Sequence, residues 1–168
     1  MCERTGPGRS SYAVGKVLTG LLVGTFALFP KGLTGQDEPT PHGHWLTEDE
    51  NAVVEFYDCE DELCGWLVWL EEGGEEFDLE NPDEDLRDRP LCELVMVWAL
   101  ERDPDRPDEW RGGHIYAPDD GRTYNARIRV EGEDRMELRG YVGRPLLGRS
   151  QIWTRVSEDD YPRCEPPD

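Results

Sequence analysis

Residues 52–70 read AVVEFYDCEDELCGWLVWL. Two apolar-rich runs, 52–59 and 64–70, flank the polar-leaning stretch EDEL. Strict alternation bounded by a polar turn is the pattern of an antiparallel hairpin. A four-residue turn at 60–63 sets Phe56 opposite Leu67 and Val54 opposite Trp69, and these four make one apolar face. The other face pairs Tyr57 with Trp66 and Glu55 with Val68, and sets Cys59 opposite Cys64. A slip of one residue mixes the two faces, so the pattern itself specifies the register.

The same alternation continues outward from this hairpin. Strands are expected at GHWLT (43–47), ELVMVWAL (93–100), HIYA (114–117), TYNARIRV (123–130), RMELRGYV (135–142) and SQIWTRV (150–156). A second hairpin pairs Val130 with Met136, Ile128 with Leu138 and Tyr124 with Val142, with Arg129 meeting Glu137 on the outer face. Eight strands in meander order, each with one apolar face, predict an all-β, antiparallel up-and-down barrel, because closure removes the unpaired edges. One short helix is expected in NPDEDLRDRP (81–90), with Asn81 as cap and Pro82 in the first turn. The spacing Asp78, Asn81, Asp83, Asp85 also evokes a Ca²⁺ loop, but the central Gly and the twelfth-position Glu are missing. PDDG (118–121) reads as a hairpin turn.

The two ends differ from this body. Residues 1–35 carry Arg4, Arg9, Lys16 and Lys31 against the single acid Glu3, and enclose the apolar run Val17–Phe29. A basic leader, a short apolar run and small residues form the layout of a secretory signal peptide. The run is too short and too glycine-rich for a spanning helix of about 20 apolar residues, so no stable membrane insertion is expected after cleavage. A polar, Pro-rich linker (36–42), a barrel domain (43–157) and an acidic, Pro-rich tail (158–168) would follow. Without residues 1–35 the chain keeps 14 basic and 37 acidic residues, a net charge of −23. Such self-repulsion opposes compaction, and salt near 1 M shortens its reach to about 3 Å. The expectation is an exported protein, periplasmic or secreted, adapted to a salty medium. The charge argues against nucleic acid or anionic lipid as partners.

Catalytic signals are weak. His42, His44 and His114 are the only histidines, no G-x-S-x-G elbow occurs, and 37 carboxylates make any acid–base pair uninformative. The spacing Cys59-x4-Cys64 lacks a second metal-ligand pair, and an exported chain sits in an oxidising compartment, so disulfides are favoured over zinc or a redox pair. Four cysteines, 59, 64, 92 and 164, allow three connectivities. Opposed cysteines across a hairpin favour Cys59–Cys64 with Cys92–Cys164; Cys64–Cys92 with Cys59–Cys164 stays open. No cofactor and no metal are expected.

Several separated stretches carry a family resemblance. GHWLT, DCEDELCGWLVWL, ENPD with LRDRPLCEL, GGHIYAPDDGRTYNARI and LRGYVGRPLLGRSQIWTRV, in that order between Gly43 and Val156, are similar to the bacterial domain of unknown function family 2147. Two positions depart from its pattern: Trp66, where the family carries a small or basic residue, and Glu93, where it carries Gly. The resemblance implies an exported envelope protein with a calycin-type barrel, shaped like lipocalins and fatty-acid-binding proteins, and it implies no reaction. It also implies that Gly43 and Trp45 near the first strand pack under Arg155 of the last strand and close the barrel base. The expected function is a non-catalytic barrel for a small hydrophobic ligand, lined by Val54, Phe56, Leu67, Trp69, Tyr124, Ile128, Leu138 and Val142. The alternative is a structural or protein-interaction module with a solid core, since the same side chains fill a small barrel equally well.

Overall fold

The structure, a computed structural model, describes residues 38–74 and 76–167. The leader assigned to residues 1–35 lies outside the described residues. The strands are β1 (Gly43–Leu46), β2 (Ala52–Cys59), β3 (Glu62–Leu70), β4 (Val95–Asp103), β5 (Arg106–Ala117), β6 (Arg122–Glu131), β7 (Arg135–Tyr141) and β8 (Gly148–Val156). Each pairs antiparallel with the next, and β1 closes on β8 through His44–Val156, Trp45–Arg155 and Leu46–Thr154. The result is a closed eight-strand up-and-down barrel, the architecture that the alternation predicts.

The register of β6 with β7 follows the expectation at Val130–Met136, Ile128–Leu138 and Arg129–Glu137. The ladder stops at Asn125–Tyr141, one step short of Tyr124–Val142. The β2–β3 hairpin is tighter than expected. Its turn is two residues, Glu60-Asp61, and Cys59 faces Glu62 while Tyr57 faces Cys64. Glu60 takes a φ of 59°, a left-handed conformation uncommon outside glycine and asparagine. The register moves by two residues, so Val54, Phe56 and Leu67 keep their face, with Val54 now opposite Leu67 and Phe56 opposite Gly65.

Trp69 does not keep its face. Val54 pairs with Leu67 but Val53 pairs with Trp69, so Val68 is an extra residue, a β-bulge. The bulge turns Trp69 outward and gives its inward place to Leu70, opposite Ala52. Outside the barrel Trp69 is covered by the chain's tail. Tyr161 packs edge-on at 5.0 Å, and the Cys164 N–H donates to Val68 O at 2.6 Å. Arg163 lies 4.8 Å from the Trp66 ring and pairs with Glu55. The disulfide Cys92–Cys164 fastens this strap, and Cys59–Cys64 clamps the hairpin diagonally, with Cα atoms 5.8 Å apart.

Two more expectations need correction. The segment 81–90 forms one 3₁₀ turn, Glu84–Leu86, capped by the Asp83 carboxylate on Asp85 N–H; Asn81 instead accepts from Asp83 N–H. β5 begins at Arg106 rather than 114, because β4 and β5 extend past the expected ends into a hairpin around Pro104-Asp105. Between β3 and β4, the long segment is held by Asp78, whose side chain is fully buried. It accepts from Tyr116 Oη (2.7 Å), Asn81 Nδ2 (2.7 Å) and Arg89 Nε (2.8 Å). Burial works against this carboxylate's charge, but the three donors and the Arg89 charge outweigh it and hold its pKa below the ordinary range.

Candidate functional site: an open-ended barrel cavity

An up-and-down meander places its connections alternately at the two ends. One end is sealed. There Arg155 lies 4.2 Å over the Trp45 ring, in the same rung of the β1–β8 ladder. Its guanidinium donates to the carbonyls of Glu133 (2.6 Å), Thr40 (2.6 Å) and His42. The Trp45 indole N–H donates to Pro41 O at 2.7 Å. Gly43 has φ of 102°, a conformation that favours glycine, and a Cβ there would crowd the guanidinium at 3.1 Å. Residues 38–42, within the expected linker 36–42, are thus pinned across this end. Above the seal Trp45, Val54, Phe56, Ile128, Met136 and Trp153 are all buried, with Phe56 and Trp153 rings 6.2 Å apart. This half of the barrel is packed around these residues, and a smaller pocket of about 350 Å³ lies under residues 38–42 against Leu63, Leu100 and Trp110.

The other end is hollow. A cavity of about 890 Å³ opens between the β1–β2, β3–β4, β5–β6 and β7–β8 connections. Its floor and walls include Ala52, Leu67, Leu70, Met96, Ile115 and Leu138, with Trp153 in contact as well. Small residues make the space. Ala52 contributes one methyl, and Gly140 none, although a Cβ there would sit at ordinary contact distance, 3.6–3.7 Å, from Tyr124 and Ile115.

The expected lining residues therefore separate into three groups. Leu67, Tyr124, Leu138 and Val142 border the cavity, Val142 at the exposed rim. Val54, Phe56 and Ile128 face inward but lie in the packed half. Trp69 is outside. Sequence reasoning missed Leu70, Leu91, Met96, Ile115 and Trp153. For Trp153 the signal was available: continuing the β7 alternation across to SQIWTRV places it opposite Met136.

The rim is charged unevenly. Asp49, Glu71, Glu72, Glu76, Asp119 and Asp120 border the opening, against one cation, Arg149. Tyr124 Oη donates to Asp120, which also caps Arg122 N–H. Burial, then the negative charges of Glu72 and Asp119, push the Glu76 carboxyl above the ordinary range. Gly121, with φ of 65°, sits against Glu80 O where no Cβ fits, which brings the β5–β6 turn close to the β3–β4 segment. Among the described residues no cluster of His, Cys, Asp and Glu has the geometry to hold a metal ion, and no helix is long and apolar enough to cross a membrane.

A closed antiparallel barrel, sealed at one end by an Arg–Trp stack and hollow at the other, has lipocalin-like architecture. A solved structure agrees: protein HP1028 from the human pathogen Helicobacter pylori, described as belonging to the lipocalin family, superposes with a TM-score of 0.63 at 22% identity. The match covers 71% of this chain and 84% of that one. The chain belongs to the family described as "Uncharacterized protein conserved in bacteria (DUF2147)", whose model matches residues 43–155. No curated protein matches it. The paired cysteines indicate a non-cytoplasmic location.

Proposed function

We propose that this protein is an exported, non-catalytic barrel that holds one small hydrophobic molecule in its open cavity. The observation that carries this reading is the cavity itself: about 890 Å³, apolar at its floor, within the 300–1,000 Å³ range of small-molecule sites. Export is supported by the basic and apolar leader in residues 1–35 and by the two disulfides. The excess of acid over base supports work in a salty envelope or extracellular medium.

The test has two parts. Native mass spectrometry of protein purified from its own host should show a bound small molecule. Calorimetric titration with decanol, an uncharged alkyl probe, should show one saturable site that Gly140→Phe abolishes, since a ring at 140 projects into the cavity between Tyr124 and Ile115. Decanol binding left unchanged by Gly140→Phe would refute the cavity as the site.

A further inference from the structure

We infer that the cavity selects a cationic amphiphile, an alkyl or aryl chain ending in an amine or quaternary ammonium group, over a fatty-acid-like anion. This rests on the ligand-binding reading above and adds the charge of the ligand to it. The apolar floor takes the chain; the rim decides the head group. Three of the four connections at the open end supply carboxylates: Asp49 from β1–β2, Glu71, Glu72 and Glu76 from β3–β4, and Asp119 and Asp120 from β5–β6. Among the residues lining the cavity, six carboxylates against the Arg149 guanidinium leave a net charge of −5. None of the six has an ion-pair partner among the described residues, whereas Asp78, Asp103 and Glu109 elsewhere are each neutralised by arginine. Asp120 already holds the Tyr124 hydroxyl and the Arg122 N–H; the other five rim carboxylates are free to meet a ligand's charge.

The fourth connection, β7–β8, differs. It presents Val142 and Leu147 to the cavity, both strongly exposed, with Leu146 beside them. The mouth is therefore split into an acidic arc and an apolar lip. A chain entering under the lip leaves its head group among the carboxylates, with the Tyr124 ring close by; an ammonium is attracted to both. Among the residues lining the cavity a carboxylate head group finds one cation, Arg149 on the final strand; Arg122 lies outside the lining, within reach of the Tyr124 hydroxyl. Arg149 is the competing anchor, and the test must weigh it.

Three probes of matched chain, decyltrimethylammonium, decanol and decanoate, separate the readings by calorimetry at neutral pH. The expected order is cation, alcohol, anion, with the cation about tenfold or more tighter than the anion at low salt. The gap should narrow near 1 M salt, where screening acts over about 3 Å. The triple variant Glu72→Gln, Glu76→Gln, Asp119→Asn should narrow it at low salt as well. Decanoate binding as tightly as the cation, and losing that affinity in Arg149→Gln, would overturn the inference while leaving the cavity reading intact. A cation that is not displaced by decanol, or that still binds Gly140→Phe, would be held by the acidic surface alone and would overturn it too. If none of the three probes binds, the ligand-binding reading falls and this inference with it.

Discussion

Arg155→Lys keeps a positive charge at the sealed end and removes the fork. The arginine donates to three carbonyls, of Glu133, Thr40 and His42, while stacked 4.2 Å from the Trp45 ring. A lysine ammonium is a point donor on a flexible stem and reaches one of the three. Two lost hydrogen bonds at about 1 kcal/mol each, plus about 0.5 kcal/mol of planar stacking, total about 2.5 kcal/mol. For a domain of this size that is a fall of about 10 °C in Tm. Urea titration followed by tryptophan fluorescence, with disulfides intact, measures it. A cycle combining Arg155→Met with Trp45→Phe isolates the stack, and a coupling energy of about 1 kcal/mol is expected. A loss under 0.5 kcal/mol for the lysine variant, or additive effects in the cycle, would refute the claim that this stack seals the barrel.

Four further outcomes follow from the same structure. Glu93 adopts φ of 64°, so Glu93→Gly should stabilise by about 0.5–1 kcal/mol in the same urea assay, the relief of left-handed strain exceeding glycine's entropy cost. Replacing Cys92 and Cys164 by Ser opens a loop of 72-residue separation and should cost about 4 kcal/mol, against about 2 kcal/mol for the 5-residue separation of Cys59 and Cys64; the reverse ranking would sink the chain-entropy account. Asp78 has a folded pKa below its unfolded one, so its stabilisation is complete above the ordinary carboxylate pKa of about 4 and is lost as pH falls through the folded value. Asp78→Asn should therefore lower stability by about 2 kcal/mol at neutral pH and flatten the acid limb of a stability–pH curve. Raising NaCl from low concentration to about 1 M should raise Tm in wild type, because a formal charge of −20 repels itself; an unchanged Tm would remove the case for salt adaptation.

The barrel was legible because period-two alternation is a backbone property, and polar turns punctuate it at short spacing. What failed were the features that alternation does not encode. The Glu60-Asp61 turn puts a glutamate at positive φ, with no Gly or Asn to announce a two-residue loop. The bulge at Val68 hides inside WLVWL, where apolar residues occupy both faces and no polar residue marks the slip. The first half of β5, RPDEWRGG, reads as polar because its outward residues form ion pairs, such as Glu109 with Arg129 across to β6, in place of an apolar edge. The same alternation places Trp69 inward, and only the tail strap explains how a tryptophan is covered outside.

Alternation assigns a side chain to a face; it does not assign depth along the barrel. Phe56 and Leu67 share the inner face, yet one lies in packed core and the other borders a void. The void arises from what is absent at inward positions near the open end: Gly140 and Ala52 stand where larger residues would complete the core.

Charge then gives folding stability and ligand choice opposite dependence on the medium. Screening relieves the self-repulsion that opposes folding, and it also weakens the field by which the acidic mouth would prefer a cation. At about 1 M salt only charges in direct contact still interact strongly. A cation preference that persists there would report an ammonium seated among the carboxylates, and one that vanishes would report attraction by the rim's field as a whole. Titration of the matched probes across salt, read beside the stability curve over the same range, separates these two ways in which one set of carboxylates acts.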